Sequence, residues 1–91
     1  MTRYRPLTVS AVRRAAVRTS ARTGTTTTLD IKRALRARGF WATQADVSRA
    51  VAHLATQEGW PWWSLGAFRL YGVPREGQSG LSTASQAALV N

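Results

Sequence analysis

Gly39-Phe40-Trp41-Ala42-Thr43-Gln44-Ala45-Asp46-Val47-Ser48-Arg49-Ala50-Val51 decides the fold. It reads as the end of one helix, a tight turn and the start of the next. Gly39 suits the left-handed residue that closes a helix. Thr43 with Asp46 three positions on reads as a capping box, and it sets Asp46 at the positive helix end. Val47, Val51 and Leu54 fall at i, i+4 and i+7, which predicts a buried stripe with Ala50 beside it. The opposite arc carries Ala45, Ser48, Arg49, Ala52, His53 and Thr56. That arc is small and polar with a single Arg, as suits a helix lying deep in a groove. An ordinary solvated face carries more Glu and Lys. Glu58-Gly59 ends this helix.

Upstream, Thr27-Thr28-Leu29-Asp30 has the same capping character, so a helix is expected over roughly 29–38. Ile31, Ala34 and Leu35 would face inward, and Lys32, Arg33 and Arg36 outward. Gly24 and the threonines at 25–28 break the helical pattern and suit a short strand. A first helix is expected from Thr8 or Ser10 to about Ser20, with Val9, Val12 and Ala16 as a thin apolar stripe. Arg14, Arg18 and Arg22 stand at i+4 spacing, where like charges repel. An anion would compensate them. Residues 1–7 read as an extended basic arm, because Pro6 biases Arg5 away from helix. Arg3 and Arg5 flank Tyr4 there.

Downstream, residues 60–72 read as a hairpin turning at Gly66-Ala67, a two-residue turn of type II′. The register pairs 65 with 68, 64 with 69, 63 with 70 and 62 with 71. Trp63, Leu65, Phe68 and Leu70 then share one face, which is expected to join the core. Trp62, Ser64, Arg69 and Tyr71 share the other. Residues 77–91 are small and uncharged, and read as a flexible tail with a helical turn at 83–90.

The order is helix, short strand, helix, helix, hairpin. It predicts a mainly α member of the α+β class, a winged helix-turn-helix with three helices and a C-terminal β-hairpin wing. The division is a basic arm over 1–7, the winged domain over 8–76 and the tail over 77–91.

Composition narrows the function. The 91 residues include 13 Lys and Arg against four Asp and Glu, a net charge of +9. Residues 1–38 hold ten basic side chains and Asp30 alone, so the whole excess lies there. Twelve of the thirteen are Arg, whose fork matches phosphate and guanine edges bidentately. Such a surface expects a polyanion. A transit peptide would share the Arg- and Ser-rich, acid-poor start, but the same segment reads as the first helix. With no Cys and one His, disulfide and metal frameworks are not expected. Four carboxylates offer no paired acid and base, so no enzyme and no cofactor is expected. No apolar run approaches the roughly 18 residues of a membrane helix. The expected place is the cytoplasm, in association with the nucleoid.

Thr28-Leu29-Asp30-Ile31, Leu35, Gly39-Phe40, Thr43-Gln44-Ala45-Asp46-Val47-Ser48-Arg49 and Leu54 resemble the DNA-binding domain of bacterial arginine repressors. That family reads T-Q-A-T-V-S-R-D in its recognition helix, after a helix ending in Gly-Phe. Phe68-Arg69-Leu70-Tyr71-Gly72-Val73-Pro74-Arg75-Glu76 is similar to the family's aromatic wing strand and its Leu-Pro-Glu ending. The resemblance spans roughly 8–76 and implies sequence-specific binding of duplex DNA, with Gln44, Ser48 and Arg49 approaching bases and phosphates. Asp46 in place of Thr and Ala50 in place of Asp depart from the pattern. The family's arginine-binding oligomerisation domain has no room in these residues, so no small-molecule effector is expected.

The expectation is therefore a double-stranded DNA-binding protein, a small regulator or DNA-organising protein. It would act as a dimer or as protomers assembled along DNA. Thr43, Gln44, Ser48, Arg49 and His53 would face the major groove. Arg14, Arg18, Lys32, Arg33, Arg36 and Arg69 would meet the backbone, with Arg3 and Arg5 in the arm. The competing readings are a winged-helix interaction module, docking through Tyr4, Trp62 and Tyr71, and RNA or non-specific nucleoid binding.

Overall fold

Three threonines start three helices. The hydroxyls of Thr8, Thr27 and Thr43 accept from the backbone N–H of Ala11, Asp30 and Asp46 at 3.0, 3.2 and 3.2 Å. Each bond satisfies one of the donors that a helix start leaves without an intrahelical partner. The computed structural model describes residues 3–74. The tail expected over 77–91, its helical turn, Arg75 and Glu76 lie outside the described residues. The elements are α1 (Val9–Thr19), β1 (Thr25–Thr27), α2 (Thr28–Ala37), α3 (Gln44–Glu58), β2 (Trp62–Leu65) and β3 (Phe68–Gly72). This is a small α+β fold of three helices and one antiparallel sheet.

The capping boxes form by half. Among the described residues no carboxylate returns a bond to the cap N–H of Thr27 or Thr43. Asp is one methylene shorter than the Glu that usually closes the box. Asp46 pairs with Arg49 instead.

α2 ends as the glycine predicts. Gly39 has φ 86°, its N–H reaches the Arg36 carbonyl at 3.1 Å, and the Phe40 N–H reaches the Leu35 carbonyl at 3.0 Å. This crossed pair is the Schellman arrangement, and it sends Phe40 into the core. α3 ends differently: the N–H groups of Gly59 and Trp60 both meet the Ala55 carbonyl, the latter at 3.0 Å, and Trp60 is buried.

The core lies between the helices and the base of the sheet. Ile31 and Leu35 of α2 and Val47, Val51 and Leu54 of α3 are fully or almost fully buried, as their spacing predicts. Burial of each such side chain contributes about 1.5–3 kcal/mol. α1 differs from its expected stripe. Ala11, Val12, Ala15 and Ala16 are buried, whereas Val9 is exposed. Val9 sits in the first turn, before the helix meets its neighbours, so its periodicity has nothing to pack against. Ala34 and Ala50 pack against the core margin.

The sheet runs β1-β3-β2, so the last strand is central. Its hairpin register is the expected one: Trp62 with Tyr71, Trp63 with Leu70, Ser64 with Arg69 and Leu65 with Phe68. Gly66 has φ 74° and Ala67 does not share the positive sign, which is the pattern of a type II′ turn. β1 then joins β3, with Thr25, Thr26 and Thr27 opposite Gly72, Tyr71 and Leu70.

The expected core face of the hairpin is overturned. Trp63, Leu65 and Phe68 are 49%, 48% and 51% exposed, and Leu70 is half-buried. Tyr71, expected on the open face, is 2% exposed. Two physical reasons combine. Pairing with β1 seats only residues 70–72 against the helices, so the tip runs past the body. The face of Trp62, Ser64, Arg69 and Tyr71 is the one turned towards α3. Burial of Tyr71 also removes it from the docking surface drawn with Tyr4 and Trp62.

Of the basic arm, residues 3–7 are described; they form no helix, and Arg5 is pinned. The Arg5 N–H donates to the Gly39 carbonyl at 2.7 Å, and the Arg5 carbonyl accepts from the Trp41 N–H at 3.0 Å. Arg5 thereby forms a parallel bridge with Phe40 across the turn between α2 and α3. Among the described residues no helix is long and apolar enough to cross a membrane.

Candidate nucleic-acid interface

α3 and the hairpin enclose an open groove of about 730 Å³. Thr27 to Asp30, at the start of α2, also line it. Gln44 and Ser48 line it from α3, and Ser64, Phe68 and Arg69 from the hairpin. Gln44 and Ser48 are one turn apart, so both project to the same side. Ala52 and Thr56 continue that row towards a smaller hollow bounded by Trp60, Trp62 and Arg69. The row is free of charge and bulk, which leaves space between helix and hairpin.

Arg69 is held for use. Its guanidinium carbon lies 4.1 Å from the centre of the Trp62 ring. Stacking occupies the flat face of the guanidinium and leaves its in-plane N–H donors open to a ligand. Trp62 and Arg69 are diagonal neighbours on one sheet face, within reach of long side chains.

Arg49 and His53 stand exposed on α3, outside the lining of the groove. At about 100° per residue they are a quarter turn round from Ser48 and Ala52. Arg49 donates to Asp46, and its side chain remains 74% exposed. The pair keeps the Asp46 carboxylate from standing alone on this surface. Thr43 is half-buried and spends its hydroxyl on the helix cap. The five positions expected in the major groove, Thr43 and four on α3, therefore divide into three settings: a cap, a row facing the hairpin, and an outer row.

The expected backbone contacts divide further. Arg33 is exposed and Lys32 half-buried on α2. Arg36 has a structural use, since its Nε donates to the Ala42 carbonyl at 2.8 Å and its guanidinium lies 5.2 Å from the Trp41 ring centre. Arg14 and Arg18 line a different cleft, between α1 and α2. Arg3 is exposed, and Arg5 lies 4.3 Å over Phe40.

One cluster escaped the sequence reading. Tyr4 and Trp41 meet with ring centres 5.2 Å apart at 60°, beside Arg36. Its members are 37 positions apart at most, and only the bridge at Arg5 brings them together. The extended conformation before Pro6 was the available signal.

Comparison with family models, curated proteins and solved structures gives no match for this chain.

Proposed function

We propose that this protein is a winged helix-turn-helix that binds double-stranded DNA with α3 in the major groove and the hairpin as its wing. One observation carries the reading. Gln44 and Ser48 of α3 face Arg69 of the hairpin across one open groove, in a chain whose net charge is +9. The resemblance to arginine repressor domains supports the same assignment for Gln44, Ser48 and Arg49. Gln44 would read an adenine, and Arg49 a guanine after exchanging Asp46 for the base edge. Ser48 and Arg69 would fix the register on phosphates. A single protomer offers an interface on the order of 600–1,000 Å², so useful affinity calls for self-association or several protomers side by side.

The test is selection from a pool of random duplexes, sequenced after binding at two salt concentrations. A recovered motif that disappears with Arg49→Ala supports the reading. Salt-sensitive binding without a motif would replace it with non-specific or RNA binding.

A second reading has its own observation. Trp62, Trp63, Leu65 and Phe68 are each about half exposed on the hairpin. Such an apolar tip suits a protein contact. Absence of binding to any duplex at low salt would favour it.

A further inference from the structure

The groove leaves most of the positive charge unused. Arg5, Arg14, Arg18 and Arg38 instead line a cleft of about 170 Å³ between α1 and α2, above Leu35 and Phe40. The cleft exists because α1 and α2 meet there through alanines, whose short side chains leave a gap that the arginines surround.

Four like charges around one small cleft are an unusual arrangement, since each raises the cost of the others. Among the described residues no carboxylate relieves them. Among the described residues the salt bridges are Arg13 with Glu58 and Arg49 with Asp46, both elsewhere. Asp30 sits in the first turn of α2, whereas Arg38 caps its last. Two of the four are also held in place. Arg14 donates to the Ser10 hydroxyl at 3.0 Å, and Arg5 stacks over Phe40 with its backbone fixed on both sides. At about 170 Å³ the cleft has room for a phosphate group. Guanidinium forks match a phosphate bidentately.

The cleft and the α3 groove share no lining residue. α1 contributes nothing to the groove, and α3 nothing to the cleft. We propose that the cleft binds a backbone phosphodiester of a second duplex, so that one protomer holds two DNA segments together. This rests on the DNA reading above, with α3 and the hairpin gripping the first duplex.

Beads carrying a short duplex are loaded with protein and then offered a labelled free duplex. The wild-type protein is expected to retain the label. Arg14→Ala/Arg18→Ala is expected to lower retention about tenfold more than it lowers binding of a single duplex in solution, for two lost phosphate contacts. Arg69→Ala, on the groove, should lower both together. Both substituted arginines are exposed, so the double variant keeps the core. Arg14→Lys/Arg18→Lys, which keeps the charge without the fork, should recover part of the retention. If the double alanine variant loses the two activities in step, the cleft serves the same duplex and the proposal fails. Unchanged retention also overturns it. A wild-type protein that binds the tethered duplex but retains no label overturns it while the DNA reading stands. No binding of either duplex removes both.

Discussion

Trp62 and Tyr71 pair across β2 and β3, yet Tyr71 is 2% exposed and Trp62 is 47%. The edge of the core runs between them. Tyr71 fastens the hairpin to the helices, and Trp62 begins the part that stands clear and carries Arg69.

That boundary sets the cost of substitution. Tyr71→Ala should destabilise the fold by about 3–5 kcal/mol, as loss of a buried aromatic does. Trp62→Ala should cost less than about 1 kcal/mol, chiefly the stacking with Arg69. Urea unfolding of the two variants measures both. Equal losses would mean that Tyr71 does not anchor the hairpin.

Thr43→Ala should cost about 1 kcal/mol, because the Asp46 N–H loses its acceptor at the start of α3. Thr43→Ser keeps the hydroxyl and should stay close to wild type. Thermal melts followed by circular dichroism would separate the two, and a Ser variant as weak as Ala would remove the cap from the account.

Asp46→Asn should strengthen DNA binding. It releases Arg49 and removes a negative charge from the exposed side of α3. The helix gives up the favourable placement of an acid in its first turn, about 0.3–1 kcal/mol. Titration of one duplex with both proteins reads the effect. Binding no tighter than wild type would show that Asp46 does not restrain Arg49.

Each phosphate that the protein neutralises should add about −0.9 to the log–log slope of affinity against salt. Arg69→Ala should make it shallower by about one unit. An unaltered slope would move Arg69 away from the phosphate backbone.

Local chemistry was the legible part of the chain. Thr27 and Thr43 as caps, Gly39 as a helix end and Gly66-Ala67 as a turn each act within four residues of themselves, and of the two starts offered for α1, Thr8 and Ser10, the cap is Thr8. The hairpin register followed from its turn. Its buried face did not, because apolar residues occupy both faces: Trp63, Leu65 and Phe68 on one, Trp62 and Tyr71 on the other. The long-range docking of the sheet, with β1 paired to β3 and one face turned towards α3, decides between them. At the candidate site, helical spacing grouped Ser48 with Arg49, Ala52 and His53, and Gln44 came from the family resemblance; the structure instead sets Gln44 beside Ser48 in the groove and leaves Arg49 and His53 outside it. The diversion of Arg36 to the Ala42 carbonyl was not legible, since no periodicity reports where a turn presents its backbone.

Thr27 is both the last residue of β1, paired with Leu70, and the cap of α2. No loop separates the sheet from the helix. The loose torsions that absorb motion elsewhere are missing at this joint. Whatever grips the hairpin tip therefore acts on α2 through paired strands, with no loop between sheet and helix.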